Sequence, residues 1–262
     1  MRTSEQSQFP APGANLSESV VLVTGALTGI GRATAIAFAK EGAKVVVSGR
    51  KEAEGKSLAE ELNALGAEAA FVRADVRFEA DVEQLVAQTI SRFGRLDIAV
   101  NNAGTEGTPG PVTEQTVETY TNIFDTNVLG VLLSMKHQLK VMQKQGSGSI
   151  VNVSSVLGRK GMPNVSVYTA SKHAVEGLTK AAALEVANTG IRVNVVAPGP
   201  IETPMLNRFV TTDEQKEGFK SIVPVQRMGL PEEIAQTIVF LGSSKSPFLT
   251  GQSIAVDGGM LA

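Results

Sequence analysis

The feature that most constrains this chain is an alternation. From Val20 onward, short runs of β-branched and aliphatic residues take turns with longer stretches whose apolar residues recur at three- and four-residue steps. The runs lie at 20–23, 44–47, 69–72, 98–100, 149–153, 192–196 and 253–256. They are nearly continuous in apolar residues, as strands covered by helices on both faces must be. Between them, segment 81–93 puts Val82, Leu85, Val86, Ile90 and Phe93 on one stripe, and the segment after Pro231 does the same with Ile234, Ile238 and Leu241. Strands and helices that alternate in this way build a parallel sheet. No repeat of 20–50 residues and no second linker interrupts the pattern. The reading is a single α/β domain over residues 17–262, a doubly wound parallel seven-stranded sheet of Rossmann type flanked by helices. Residues 1–16, which include Pro10, Pro12 and Gly13, read as a flexible tail without the apolar stretch of a secretory signal.

Composition narrows the function. With 24 basic and 26 acidic side chains the formal charge is −2, so the chain carries no overall field to attract a polyanion, and nucleic acid is not an expected partner. The absence of cysteine excludes disulfides, thiolate catalysis and cysteine metal sites; two histidines, His137 and His173, leave no zinc cluster, so no metal is expected. No run of about 18 apolar residues offers a transmembrane helix. A cytoplasmic protein without membrane contact is the expectation.

The first run passes through Thr24-Gly25-Ala26-Leu27-Thr28-Gly29-Ile30-Gly31 into a helical stretch at 32–40. Glycines at such a junction let the chain turn tightly and let a pyrophosphate approach the N–H groups at the helix start. The spacing is G-x-x-x-G-x-G, not the commoner G-x-G-x-x-G. Here the chain resembles the classical short-chain dehydrogenase/reductase family, whose first turn reads T-G-x-x-x-G-I-G. Further matches follow in order: Asn101-Asn102-Ala103-Gly104 to the family's N-N-A-G, Pro198-Gly199-Pro200-Ile201-Glu202-Thr203 to its P-G-x-I-x-T, and Val256-Asp257-Gly258-Gly259 to its closing strand. Together they span residues 20 to 260.

Which dinucleotide fits is read after the second run. An acid about 20 residues past the glycines would hold the ribose hydroxyls of NAD. The chain has Val47-Ser48-Gly49-Arg50-Lys51 there instead. Arg50 would grip a 2′-phosphate through its forked donors; alternatively, Arg50 and Lys51 are only a solvated helix start. Thr28 stands where the family often carries a second basic residue. NADP(H) is expected, with NAD(H) as the alternative. The resemblance implies cofactor contacts from Gly25, Thr28, Gly29, Ile30, Gly31 and Arg50, adenine contacts from Asp75 and Val76, and a ribose border of Asn102, Ala103 and Gly104. It also implies contacts near the nicotinamide from Pro198, Gly199, Ile201 and Thr203.

Tyr168 and Lys172 lie four apart at the start of a helical stretch, hence on one face, one turn apart. The family carries an Asn-Ser-Tyr-Lys tetrad with the serine about 13 residues before the tyrosine, which here is Ser155; Asn127, in Phe124-Asp125-Thr126-Asn127-Val128, supplies the fourth member. A phenol ionises near pH 10, and a neighbouring ammonium favours its ionised form. Tyr168 is therefore the expected general acid in reduction and base in oxidation. Ser155 is the expected donor to the substrate oxygen, where negative charge builds. By resemblance, Lys172 also holds the nicotinamide ribose and Asn127 a water that links Lys172 to solvent. His173, about 100° round the helix from Lys172, reads as structural.

The pocket is expected from loop 105–111, from 156–165, and from 204–227. The last carries Met205, Leu206, Phe209 and Phe219 and reads either as a lid over a moderately apolar ketone or alcohol, or as ordinary helix packing. The resemblance implies a homotetramer, with the Tyr168 helix and the closing strand near interfaces. Two other readings compete: a catalytically silent dinucleotide-sensing regulator on the same fold, and an extended nucleotide-sugar epimerase or dehydratase. The complete tetrad opposes the first, and the short stretch after Thr203 opposes the second.

Overall fold

The computed structural model describes residues 16–210 and 212–262. Alternate side chains of a strand leave opposite faces of its sheet, and that rule sorts the core here. Seven strands, β1 (Val20–Thr24), β2 (Lys44–Gly49), β3 (Ala69–Arg73), β4 (Ile98–Asn101), β5 (Gly148–Val153), β6 (Ile191–Pro198) and β7 (Ser253–Val256), form one sheet in the order β3-β2-β1-β4-β5-β6-β7, every pairing parallel. Val21, Val23, Val45, Val47, Ile98 and Val100 bury one face, while Leu22, Val46, Ala99 and Ile150 bury the other.

The helices are α1 (Gly29–Lys40), α2 (Glu52–Ala64), α3 (Glu79–Phe93), α4 (Val117–Phe124), α5 (Gly130–Gln145), α6 (Ser166–Val186), α7 (Pro204–Phe209), α8 (Asp213–Ser221) and α9 (Pro231–Gly242). Phe38 of α1, Leu62 of α2 and Ile234 and Ile238 of α9 pack on the first face. Leu85 and Val86 of α3, Val131 and Met135 of α5, and Val175 and Ala183 of α6 pack on the second. The expected stripes of 81–93 and 234–241 are thus core contacts. Among the described residues no helix is long and apolar enough to cross a membrane.

Most of the expected tail, residues 1–15, lies outside the described residues. Leu16, counted with the tail in the sequence reading, starts a 3-10 turn (Leu16–Glu18) and is buried in the first core. Segment 204–227 forms the two short helices α7 and α8, neither with a buried residue, anchored at their ends by buried Val210 and Val223.

β1 pairs with β2 on one side and β4 on the other. The chain winds outward through β3, then returns by α3 to start the other half. Ligands of open parallel sheets bind at this reversal, beyond the carboxyl ends of the strands.

Candidate active site

The loop from β1 to α1 enters the reversal point with Gly25 at φ 61° and Gly29 at φ 54°, values a side chain would strain. A Cβ on Gly25 would stand 2.7 Å from the Cα of Ala103, and one on Gly31 would collide with the Gly25 carbonyl oxygen and Asn102 Nδ2. Asn102 braces this turn, donating from Nδ2 to the carbonyl oxygens of Gly25 (2.9 Å) and Thr24 (3.2 Å), while Thr24 Oγ1 accepts from the backbone N–H of Asn102 and Ala103. Thr28 makes no side-chain cap to α1. The first amides of that helix therefore remain available to an anion.

A cleft of about 810 Å³ opens above this turn. Of the residues expected at the cofactor, Gly25, Thr28, Gly29, Ile30, Arg50, Asp75, Val76, Asn102, Ala103, Gly104 and Thr203 line it. Gly31 lies beneath, packed on the turn. Tyr168 and Lys172, also expected to contact the cofactor, are not among the lining residues, nor are Pro198, Gly199 and Ile201. Pro198 pairs with Val256, Gly199 donates to the Val256 carbonyl at 3.1 Å, and the buried Ile201 side chain joins the core.

Charge at the far end of the cleft is unevenly satisfied. Lys51 is tied to Glu54 at 3.0 Å. Arg77 grips Asp75 with Nη2 at 2.6 Å, and these bonds, helped by the charge of Arg50, hold the Asp75 carboxyl below its usual range. Arg50 itself has no salt-bridge partner among the described residues. Ser48, also in the lining, has a buried hydroxyl without a hydrogen-bond partner. Turn glycines with no room for side chains, uncapped amides, an orphaned hydroxyl and an unpaired guanidinium together fit a dinucleotide. Sequence reasoning missed Ser48 and Arg77, which carry no local signal.

The tetrad gathers beyond the ends of β4 and β5. Ser155 caps the turn Val156–Gly158, accepting from the Leu157 N–H at 3.1 Å, and its hydroxyl is near enough to that of Tyr168 to favour the ionised phenol. Lys172, 5% exposed, sets its Nζ 5.5 Å from the Tyr168 ring centre and donates to the Val153 carbonyl at 3.0 Å. Asn127 falls, buried, in a π-helical turn, Asp125–Leu129, between α4 and α5; such turns are rare and frequent at functional sites. Its amide is engaged, with Oδ1 accepting from the Thr105 N–H (2.8 Å) and Nδ2 donating to the Thr105 carbonyl (2.9 Å) and Ser171 Oγ (3.0 Å). Its side chain thus ties the pocket loop to α6, and the second lone pair of Oδ1 remains for the water expected from the resemblance.

Burial sets the electrostatics. It pushes Tyr168 up to about 12, against the opposing effect of the Ser155 hydroxyl, with the charge of Glu106 adding to the rise. It pushes Lys172 down to about 8. The expected ionisation of Tyr168 by the ammonium is thus outweighed in the chain alone, because loss of water disfavours every charged form. Glu106, in the loop after β4, pairs with Arg208 of α7 through both carboxylate oxygens. His173, on the exposed side of α6, bonds the Thr169 carbonyl.

The enoyl-(acyl carrier protein) reductase family model matches residues 25–261. The chain is 40% identical to cyclohexanol dehydrogenase of Acinetobacter sp. over 92% of its own length and 94% of that protein's. It superposes on 3-ketoacyl-(acyl-carrier-protein) reductase from Brucella melitensis, solved with NADH, with a TM-score of 0.87 at 36% identity, covering 92% of this chain and 98% of that one. A putative NAD(P)-dependent gluconate 5-dehydrogenase from Beutenbergia cavernae with bound NADP gives a TM-score of 0.88 at 34% identity, covering 93% and 96%. Fold, site and relatives agree: the chain belongs to the short-chain dehydrogenase/reductase family, as an NAD(P)-dependent oxidoreductase acting on CH–OH groups.

Proposed function

We propose that this protein interconverts a carbonyl compound and a secondary alcohol, with Tyr168 as proton donor and acceptor and NADP(H) as the preferred partner over NAD(H). The dinucleotide, when bound, supplies or accepts the hydride. The observation that carries the reading is Tyr168, whose hydroxyl is influenced by Ser155 and whose ring centre lies 5.5 Å from the Nζ of the buried Lys172. Tyr168 is protonated at neutral pH and holds its proton ready for a carbonyl oxygen. Ser155 offers the same oxygen a second donor as negative charge builds. In the oxidising direction Tyr168 must take a proton, and the Lys172 ammonium favours that form.

Preference for the 2′-phosphate rests on Arg50, which lines the cleft with no salt-bridge partner among the described residues, and on the lack of an acid at the carboxyl end of β2, where the chain reads Ser48-Gly49-Arg50. Relatives solved with NADH and with NADP leave both cofactors in the family's range. Segment 204–227 serves as the lid, latched to the pocket loop by Arg208 and Glu106. A homotetramer is supported by the half-exposed β7 and by the outward-facing Phe240 and Phe248.

The test is Tyr168→Phe, assayed on a panel of cyclic and open-chain ketones and alcohols with both cofactors. The variant should bind dinucleotide as the parent does and lose about 10²- to 10⁴-fold in kcat. Turnover at the parent rate would remove Tyr168 from the mechanism.

A further inference from the structure

Glu176 stands four residues after Lys172 on α6, one turn along the same face, and nothing above makes use of it. The residue is 4% exposed. Its Oε1 accepts from Ser253 Oγ, at the start of β7, at 3.0 Å; its Oε2 is buried without a hydrogen-bond partner. The packing is close. A Cβ on Gly158 would lie 3.0 Å from Glu176 Cγ and 3.0 Å from the Lys172 carbonyl oxygen, so the turn after β5 presses directly on this stretch of helix. Burying a charged side chain costs least beside an opposite charge. Lys172 has the matching problem, a buried ammonium that donates to the Val153 carbonyl.

Resting on the reading of Lys172 given above, we propose that Glu176 is a positioning residue, the buried counter-charge that keeps Lys172 an ammonium while Tyr168 exchanges its proton. Burial lowers Lys172 to about 8, and Glu176 is the charged group that opposes this fall. Tyr168 from the same helix and Glu106 from the loop after β4 also face this end of the site. The other neighbours are neutral: the Val153 carbonyl and Ser154 from β5 and its turn, Gly158, Asn127 from the π-helical turn, and Ser253 from β7.

The sign follows. A lysine with a depressed value is an ammonium below it and loses the charge as pH rises through it. Activity that needs the ammonium is therefore present on the acid side and lost on the alkaline side. Removing the carboxylate lowers Lys172 further, so the alkaline loss comes at lower pH.

The measurement is the pH profile of kcat/KM for ketone reduction. In Glu176→Gln, which keeps the acceptor for Ser253, the alkaline limb should fall by about one pH unit. Ser253→Ala, which removes the strut and keeps the charge, should leave the limb in place. If Glu176→Gln does not fold, Glu176→Leu reads the same limb, since an apolar group of similar size is well tolerated where a buried charge stood. A limb at the parent position in either folded variant, or a Ser253→Ala limb displaced as far as that of Glu176→Gln, overturns the proposal. Lys172→Met separates the two levels: if it keeps turnover, the reading of Lys172 fails and this one with it; if it loses turnover while the Glu176 variants leave the limb unmoved, only the role of Glu176 falls.

Discussion

The two ends of the cleft solve the problem of holding a polar ligand in opposite ways. At the adenosine end the chain presents backbone: the Gly25–Gly31 turn, braced by Asn102, with charges such as Arg50 and Lys51 standing in solvent. At the catalytic end, next to the cleft lining, it presents side chains, the half-buried Tyr168 and Ser155 beside the buried Lys172, with Lys172 pushed down and Tyr168 pushed up by loss of water. Screening weakens each charge at the first end, whereas low polarizability strengthens each polar group at the second. Shape is therefore decisive where the cofactor binds, and single hydroxyls are decisive where protons move.

The sharpest way to break that contrast is Ser155→Ala. The loss of one donor to the developing oxyanion should lower kcat by about 10²- to 10³-fold. Cofactor affinity should stay within about twofold, because the adenosine end is untouched. The Tyr168 hydroxyl, freed of the neighbour that opposes its rise, should titrate still higher. Steady-state kinetics with dinucleotide titration by fluorescence reads both. A kcat within threefold of the parent would mean that burial adds little to this hydroxyl.

Next in size is Gly31→Ala. The added Cβ meets the Gly25 carbonyl oxygen, which is backbone and cannot swing away, as well as Asn102 Nδ2. Affinity for NADPH and NADH should fall together, by about 100-fold, as the turn is forced open. The circular dichroism spectrum should remain that of an α/β protein. Loss of one cofactor only would show that the turn is not the shared platform described above.

The same contrast governs what the sequence disclosed. All strand cores and the order of elements were legible because parallel strands buried on both faces need unbroken apolar runs. The structure extends several strands at their carboxyl ends, to Thr24, Ser48 and Gly49, and Asn101, where the apolar signal ends but the backbone still pairs with the neighbouring strand. The residues of the proposed tetrad could be named from their spacing. Their electrostatics could not be read there, since burial of Tyr168 and Lys172 depends on groups far along the chain. Pairings such as Glu106 with Arg208, or the buried net of Asn101, Gln138, Asn152 and Thr179 beneath the site, join residues 27 to 102 apart with no local pattern to announce them. Leu16 was misplaced for a related reason: one apolar residue beside a polar stretch does not reveal that it plugs the core.

The smallest expected effect lies at the open end and probes the cofactor preference directly. Among the described residues Arg50 lines the cleft without a salt bridge, while Lys51 is held by Glu54 and Arg77 by Asp75, which leaves Arg50 available to a 2′-phosphate. Arg50→Ala should lower kcat/KM with NADPH by about tenfold, the worth of one charge-assisted contact in a partly screened setting, and change that with NADH by less than about twofold. The loss should reside in KM, since nothing at Tyr168 is altered. Added salt should shrink the parent's NADPH advantage toward the variant's level, because an exposed ion pair is screened within about 10 Å at 0.1 M ionic strength. Equal losses with both cofactors would assign Arg50 to the fold of the β2–α2 junction, and a parent that favours NADH would reverse the preference outright.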